Sequence, residues 1–170
     1  MMEDEQLRWI TAEHEAGHAV MRWLRGLPAT DVHVNDGFGL CEGTEAYISG
    51  EDALLVTLAG PAVEAGYGLN KVNIEQLIFC DLDEARQILD KNPLLRIRIP
   101  ENPVPGESIP VTFHEVEDAL RVWFDRTCAA MFPHCLMVED IACAAVDGYL
   151  SAVDLQTILD QYEQELENNG

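Results

Sequence analysis

Lysine is nearly missing from this chain. Lys71 and Lys91 are its only two in 170 residues, and with eight arginines they face 31 acidic side chains, for a formal charge of -21 at pH 7. That balance excludes binding to a nucleic-acid backbone, which needs clustered cations to displace condensed counterions. It favours basic peptides or a basic partner, beside the plainer role of an acidic surface in solubility. Closely spaced cysteines are missing too. Cys41, Cys80, Cys128, Cys135 and Cys143 contain no C-x-x-C pair, which excludes a zinc ribbon or a thioredoxin-like motif and suggests reduced thiols among apolar neighbours. Residues 1–6 are acidic and make no secretory leader, and no apolar run approaches membrane-spanning length. Both absences point to a soluble, cytoplasmic chain. A phosphate-binding G-x-x-x-x-G-K-[ST] is likewise absent.

What is present starts with an apolar fraction of 48%, ordinary for a globular protein and sufficient in 170 residues for one packed core. Leu7, Ile10, Ala16, Val20, Trp23 and Leu24 recur at helical spacing and predict a helix over 4–25, stopped by Gly26 and Pro28. Short alternating stretches between glycines predict two or three small strands over 31–49. Helical patterns return from Glu51 to about Gly66 and over 74–89, with Asp81 near the middle of the second. Five prolines make 92–110 an extended loop. Thr112-Phe113-His114-Glu115 fits a capping box for a helix closed by Pro133. A helix over 136–149 and another opened by Ser151 follow, with a frayed tail from Glu163. The expected class is mainly α (α+β), with a small sheet or hairpin after the first helix.

One pentapeptide carries a chemistry. His14-Glu15-Ala16-Gly17-His18 is H-E-x-x-H, and residues i and i+4 of a helix share a face one turn apart. His14 and His18 can therefore aim at one metal ion, with Glu15 placed as general base towards a water held there. Gly17 costs about 1 kcal/mol of helix propensity relative to alanine, which suggests that another element approaches closely. A catalytic zinc needs a third protein ligand. Glu64 lies at a separation common among glutamate-type zinc peptidases, and Asp81 lies further on. Spacing does not choose between them. Each also has a plain reading, a solvated face residue for Glu64 and a helix cap for Asp81. His33, His114 and His134 are weaker candidates.

Four segments, taken in order, resemble the peptidase domain of the FtsH family of ATP-dependent zinc proteases. Residues 12–20 look like that family's zinc helix. Leu58-Ala59-Gly60-Pro61-Ala62-Val63-Glu64-Ala65-Gly66-Tyr67-Gly68 is similar to its L-x-G-x-x-A-E-x-x-x-G stretch, and Cys80-Asp81-Leu82-Asp83-Glu84-Ala85 to its N-D-[IL]-x-x-A segment. Residues 115–159 have the spacing of its C-terminal helices. The resemblance implies a mainly helical fold, zinc as cofactor held by His14, His18 and Asp81, Glu64 as a supporting residue, and a sheet edge near Phe38-Gly39-Leu40-Cys41 that holds an extended substrate. It implies a zinc metallopeptidase acting on unfolded or extended polypeptide, with Glu15 as catalytic base. The alternative is a non-catalytic binding or regulatory protein on the same scaffold. The chain departs from the family in lacking the ATPase and membrane segment, in Cys80 where asparagine is usual, and in its proline-rich stretch. A stand-alone domain over 1–170 is expected, with a metal-site half at 1–91, a loop at 92–111 and C-terminal helices at 112–170. A separate ATPase or further copies of the chain are the expected partners, without nucleic acid or membrane.

Overall fold

The computed structural model describes residues 2–35, 38–41, 48–66, 74–98, 111–112 and 115–169. In chain order these form α1 (Met2–Leu24), β1 (Val32–Asn35), β2 (Phe38–Cys41), α2 (Gly50–Gly66) and α3 (Ile74–Lys91). A 3-10 turn at Pro93–Arg96 leads to β3 (Ile97–Arg98), and β4 (Val111–Thr112) pairs back onto it. Then come α4 (Val116–Met131), a 3-10 turn at Phe132–His134, α5 (Cys135–Ala145), β5 (Tyr149–Leu150) and α6 (Ala152–Asn169). This is the mainly helical α+β class, with its small antiparallel sheet following the first helix.

That sheet runs β2-β1-β5, with Val32 opposite both Cys41 and Leu150. Its third strand falls where apolar periodicity predicts the end of a helix. α5 instead stops at Ala145, because Gly148 turns the chain with a φ of 127° that side chains other than glycine's rarely allow. The Gly148 carbonyl then accepts the N–H of Val34 and ties the turn to β1.

Other boundaries also differ from expectation. The capping box at Thr112 does not form: Thr112 is paired with Ile97 in a hairpin, and α4 starts after Glu115 without a side-chain cap. Serine caps do operate elsewhere. Ser49 and Ser151 Oγ accept the N–H groups of Asp52 and Asp154 at 3.1 and 3.2 Å, opening α2 and α6. The expected loop at 92–110 begins with the 3-10 turn and β3, and 99–110 lies outside the described residues. α6 stays helical through Asn169 rather than fraying at Glu163. All five cysteines are free; Cys41 is half-buried against the core, as expected, while Cys80, Cys135 and Cys143 are exposed. Val116–Ala145 does reach membrane-spanning length with a mean hydropathy of 1.3, but the 3-10 turn at Phe132–His134 divides it into two helices. Trp123, Met137, Val138 and Ile141 of those helices are buried in the core.

α1 packs against α2 and α5, and α2 in turn packs against α3 and α4, so α1 and α2 form the centre of the molecule. Gly17 makes their crossing possible. A Cβ there would lie 2.8 Å from the Ala59 carbonyl oxygen and 2.9 Å from Val63 Cγ2. Alanine gains about 1 kcal/mol over glycine as a helix former, but a backbone carbonyl cannot yield cheaply and overpacking costs about 1–3 kcal/mol. Gly17→Ala is therefore expected to lower stability by about 1–2 kcal/mol in urea unfolding. A stabilised variant would show that the helices do not meet this tightly.

Candidate metal centre

The histidines lie on the face of α1 that α2 covers, and the packing there is built around their rings. Gly60 of α2 sits directly against His14, where a Cβ would come within 2.5 Å of its Nε2. Pro61 interrupts the same helix. Having no N–H, it leaves the Thr57 carbonyl without its helical donor and distorts that turn. The neighbouring Val56 carbonyl is the acceptor for His18 Nδ1, at 2.7 Å. His14 Nδ1 meets Glu64 Oε1 at 2.6 Å in a fully buried contact. Glu64 is 3% exposed, so it is not a solvated face residue.

These partners settle the ring chemistry. Each Nδ1 faces a pure acceptor, a carboxylate or a carbonyl, and must carry the proton. Each Nε2 in a neutral ring is then a lone pair, and both point at Asp81. Its Oδ2 lies 2.8 Å from His14 Nε2 and 3.3 Å from His18 Nε2, so with both rings neutral this buried oxygen has no hydrogen-bond donor. The ligand atoms of His14, His18 and Asp81 all fall within 4.8 Å of one another. Three lone pairs converging in a largely buried site repel unless a cation sits among them, either protons or a metal ion. Two imidazoles and a carboxylate form a donor set suited to zinc and similar divalent ions.

Titration expresses the same demand. Burial opposes charge on His14, but contact with Asp81 and Glu64 and the nearby charge of Glu15 outweigh it and hold the ring up at about 10. Burial likewise opposes charge on His18, and Asp81 and Glu15 raise it against the repulsion of His14. Asp81 moves the other way: burial would raise it, but the two histidines hold it well below the usual carboxylate range.

Glu15 adjoins this cluster without joining it. It is 4% exposed, and burial raises its pKa against the pull of His18, His14 and a hydrogen bond from the Cys41 backbone. Gly39 of β2 packs onto its side chain so closely that any Cβ would overlap the carboxylate. Because Val34 turns its N–H towards Gly148, the pair Val34–Gly39 does not exchange hydrogen bonds within β1–β2. Gly39 and Cys41 therefore direct their backbone polar groups off the outer edge of β2. Among the described residues no other strand pairs with that edge.

The structure thus gathers His14, His18 and Asp81 into one cluster and puts Glu64 behind His14. Asp81 lies within α3, not at a cap. Cys80 is exposed and outside the cluster. His33 stacks near Tyr149 and His134 near Trp23, while His114 lies outside the described residues. The sequence reading missed Val56, whose contribution is a carbonyl and carries no side-chain signal. It also missed Arg22, which continues the spacing of His14 and His18 by one more turn and is only 3% exposed. In comparisons with known proteins, no family model matches the chain and no curated sequence matches it.

Proposed function

We propose that the chain is a zinc-dependent peptidase acting on extended or unfolded polypeptide. His14, His18 and Asp81 are the ligands, and Glu15 is the catalytic base. The observation that carries this reading is the convergence of two proton-locked imidazoles and an orphaned Asp81 oxygen on one point, with a buried carboxylate beside them that is not a ligand. A purely structural metal site has no need of that carboxylate. The order of the four segments that resemble FtsH peptidase domains supports the same assignment.

Bound there, zinc would supply Lewis acidity, polarising the scissile carbonyl and making a water nucleophilic near neutral pH. Glu15 takes the proton from the attacking water and returns it to the leaving amine. Its burial raises its pKa towards the range in which a carboxylate is an effective base. Glu64 and the Val56 carbonyl fix the tautomer and angle of the rings, which keeps each Nε2 free to ligate. The open edge of β2 supports an extended substrate, since Gly39 offers main-chain groups that pair with a strand of any sequence.

The test is removal and return of the metal. Protein purified without chelator is expected to carry about one zinc per chain and to cleave casein. 1,10-phenanthroline should abolish cleavage, and stoichiometric zinc should restore it. Full cleavage by the stripped protein would refute a metallopeptidase. Zinc binding without cleavage of any unfolded substrate would favour the second reading, a binding or regulatory protein on a peptidase scaffold.

A further inference from the structure

Arg22 sits one helical turn beyond His18 on the same side of α1, and its charge is unusually placed. It is 3% exposed, and its Nε and Nη2 share a single acceptor, the Pro28 carbonyl, at 3.3 Å each. Among the described residues no carboxylate pairs with it. Arg25 shows the contrast: it is exposed and bonded to both Asp52 and Glu51. A buried guanidinium with five N–H donors thus meets, among the described residues, one neutral acceptor and no carboxylate.

Arg22 lines a cavity of about 270 Å³ between α1, β2, α2 and α3. Lys91 and Gln87 reach it from α3, and Thr57 from α2. Glu84 is also on its wall and is exposed, so the described lining residues include two cations and one anion. Two further lining residues join the cavity to the metal centre. Val56 gives its carbonyl to His18, and the Cys41 backbone donates to Glu15. The space is large enough for one side chain or one chain end, and the buried Arg22 gives its wall a positive charge.

We propose that this cavity is a carboxylate subsite of the peptidase, in which Arg22 receives an acidic group of the substrate lying next to the scissile bond. The proposal rests on the peptidase reading for the name of its substrate, but the site itself is testable without cleavage. Because the net charge of -21 disfavours the approach of acidic peptides, Arg22 sets which residue is held, not how fast peptides arrive. The carboxylate has two sources, an Asp or Glu side chain and a free C-terminus.

Three blocked amino acids separate them: acetyl-glutamate amide carries only the side-chain carboxylate, acetyl-glutamine only the terminal one, and acetyl-glutamine amide neither. Calorimetry on the metal-free full chain is expected to show one of the two acids binding at least about tenfold more tightly than the neutral amide. Arg22→Gln should erase that preference, and Arg22→Lys, which keeps the charge but loses the planar fork, should retain part of it. Whichever acid wins names the source. Equal binding of all three probes to the wild type overturns the proposal, as does an undiminished preference in folded Arg22→Gln. If Arg22→Gln does not fold, the wild-type ranking and Arg22→Lys decide. Carboxylate selection in a protein that cleaves nothing would sink the peptidase reading alone and leave the subsite standing.

Discussion

Glu15→Gln is expected to keep the wild-type metal content and to lose about 10²–10⁴-fold in kcat on an unfolded protein or peptide. Glutamine is nearly isosteric, so it fits under Gly39, where the packing leaves no room for a different shape. Its amide oxygen still accepts the backbone hydrogen bond from Cys41. What it cannot do is take a proton. Metal content should hold because the convergence point is formed by His14, His18 and Asp81, and Glu15 is outside that group. The pH profile gives an independent reading. Burial raises the Glu15 pKa, and the base form is the active one, so the wild-type rate should climb as pH rises through that value. The climb should be missing in Glu15→Gln. Metal analysis and initial rates on the same preparation decide the matter. Equal cleavage by both proteins would remove Glu15 from the mechanism, and joint loss of metal and activity would make it a ligand.

The helices and the first half of the centre were legible because both obey short-range rules. The i, i+4 spacing that buries an apolar stripe also sets His14 above His18, so one periodicity reports fold and candidate ligands together. Gly17 was legible for a related reason: a poor helix former amid good ones implies a close neighbour, and Ala59 and Val63 are that neighbour. Choosing between Glu64 and Asp81 was another matter. Both are acidic residues on helices, and the choice depends on how α2 and α3 lie across α1, which no local pattern encodes. The resemblance to FtsH peptidases pointed to Asp81, and the structure places Asp81 beside the two histidines. β5 was illegible because two residues after a helix carry no periodicity. The strand exists because β1 offers an unpaired edge and Gly148 can turn towards it. Thr112 failed as a cap because its pairing with Ile97 comes from a segment far back in the chain. Arg22 could have been noticed as the third member of an i, i+4, i+8 series, but its burial beside a cavity, with no carboxylate paired to it among the described residues, exists only in three dimensions.

Asp81→Ala is expected to cost more zinc affinity than any change behind the ligands. Glu64→Ala is the measure for comparison, since removing a group that orients a ligand weakens binding by about 10–100-fold. Asp81→Ala removes a proposed ligand, and with it the only carboxylate among the described residues that both Nε2 atoms face. Competition with a chromophoric chelator should rank wild type, Glu64→Ala and Asp81→Ala in falling affinity. The reverse order would make Glu64 the ligand. The linkage to pH sharpens the comparison. His14 is raised to about 10 in the metal-free chain, so its charged form contributes stability below the unfolded value of about 6.5, and this is lost as pH rises through 10. Asp81 is lowered, so its contribution is present above about 3.9 and lost as pH falls further. Metal-free protein should therefore draw most from the centre between about pH 4 and 6.5. Zinc must displace protons from the rings, so its stabilisation should grow with pH over the range where the metal-free chain weakens. In melting experiments the zinc-induced rise in Tm should be larger at pH 8.5 than at pH 6 in wild type. It should shrink at both values in Asp81→Ala, where neither the ligand nor the partner that holds the histidine protons remains.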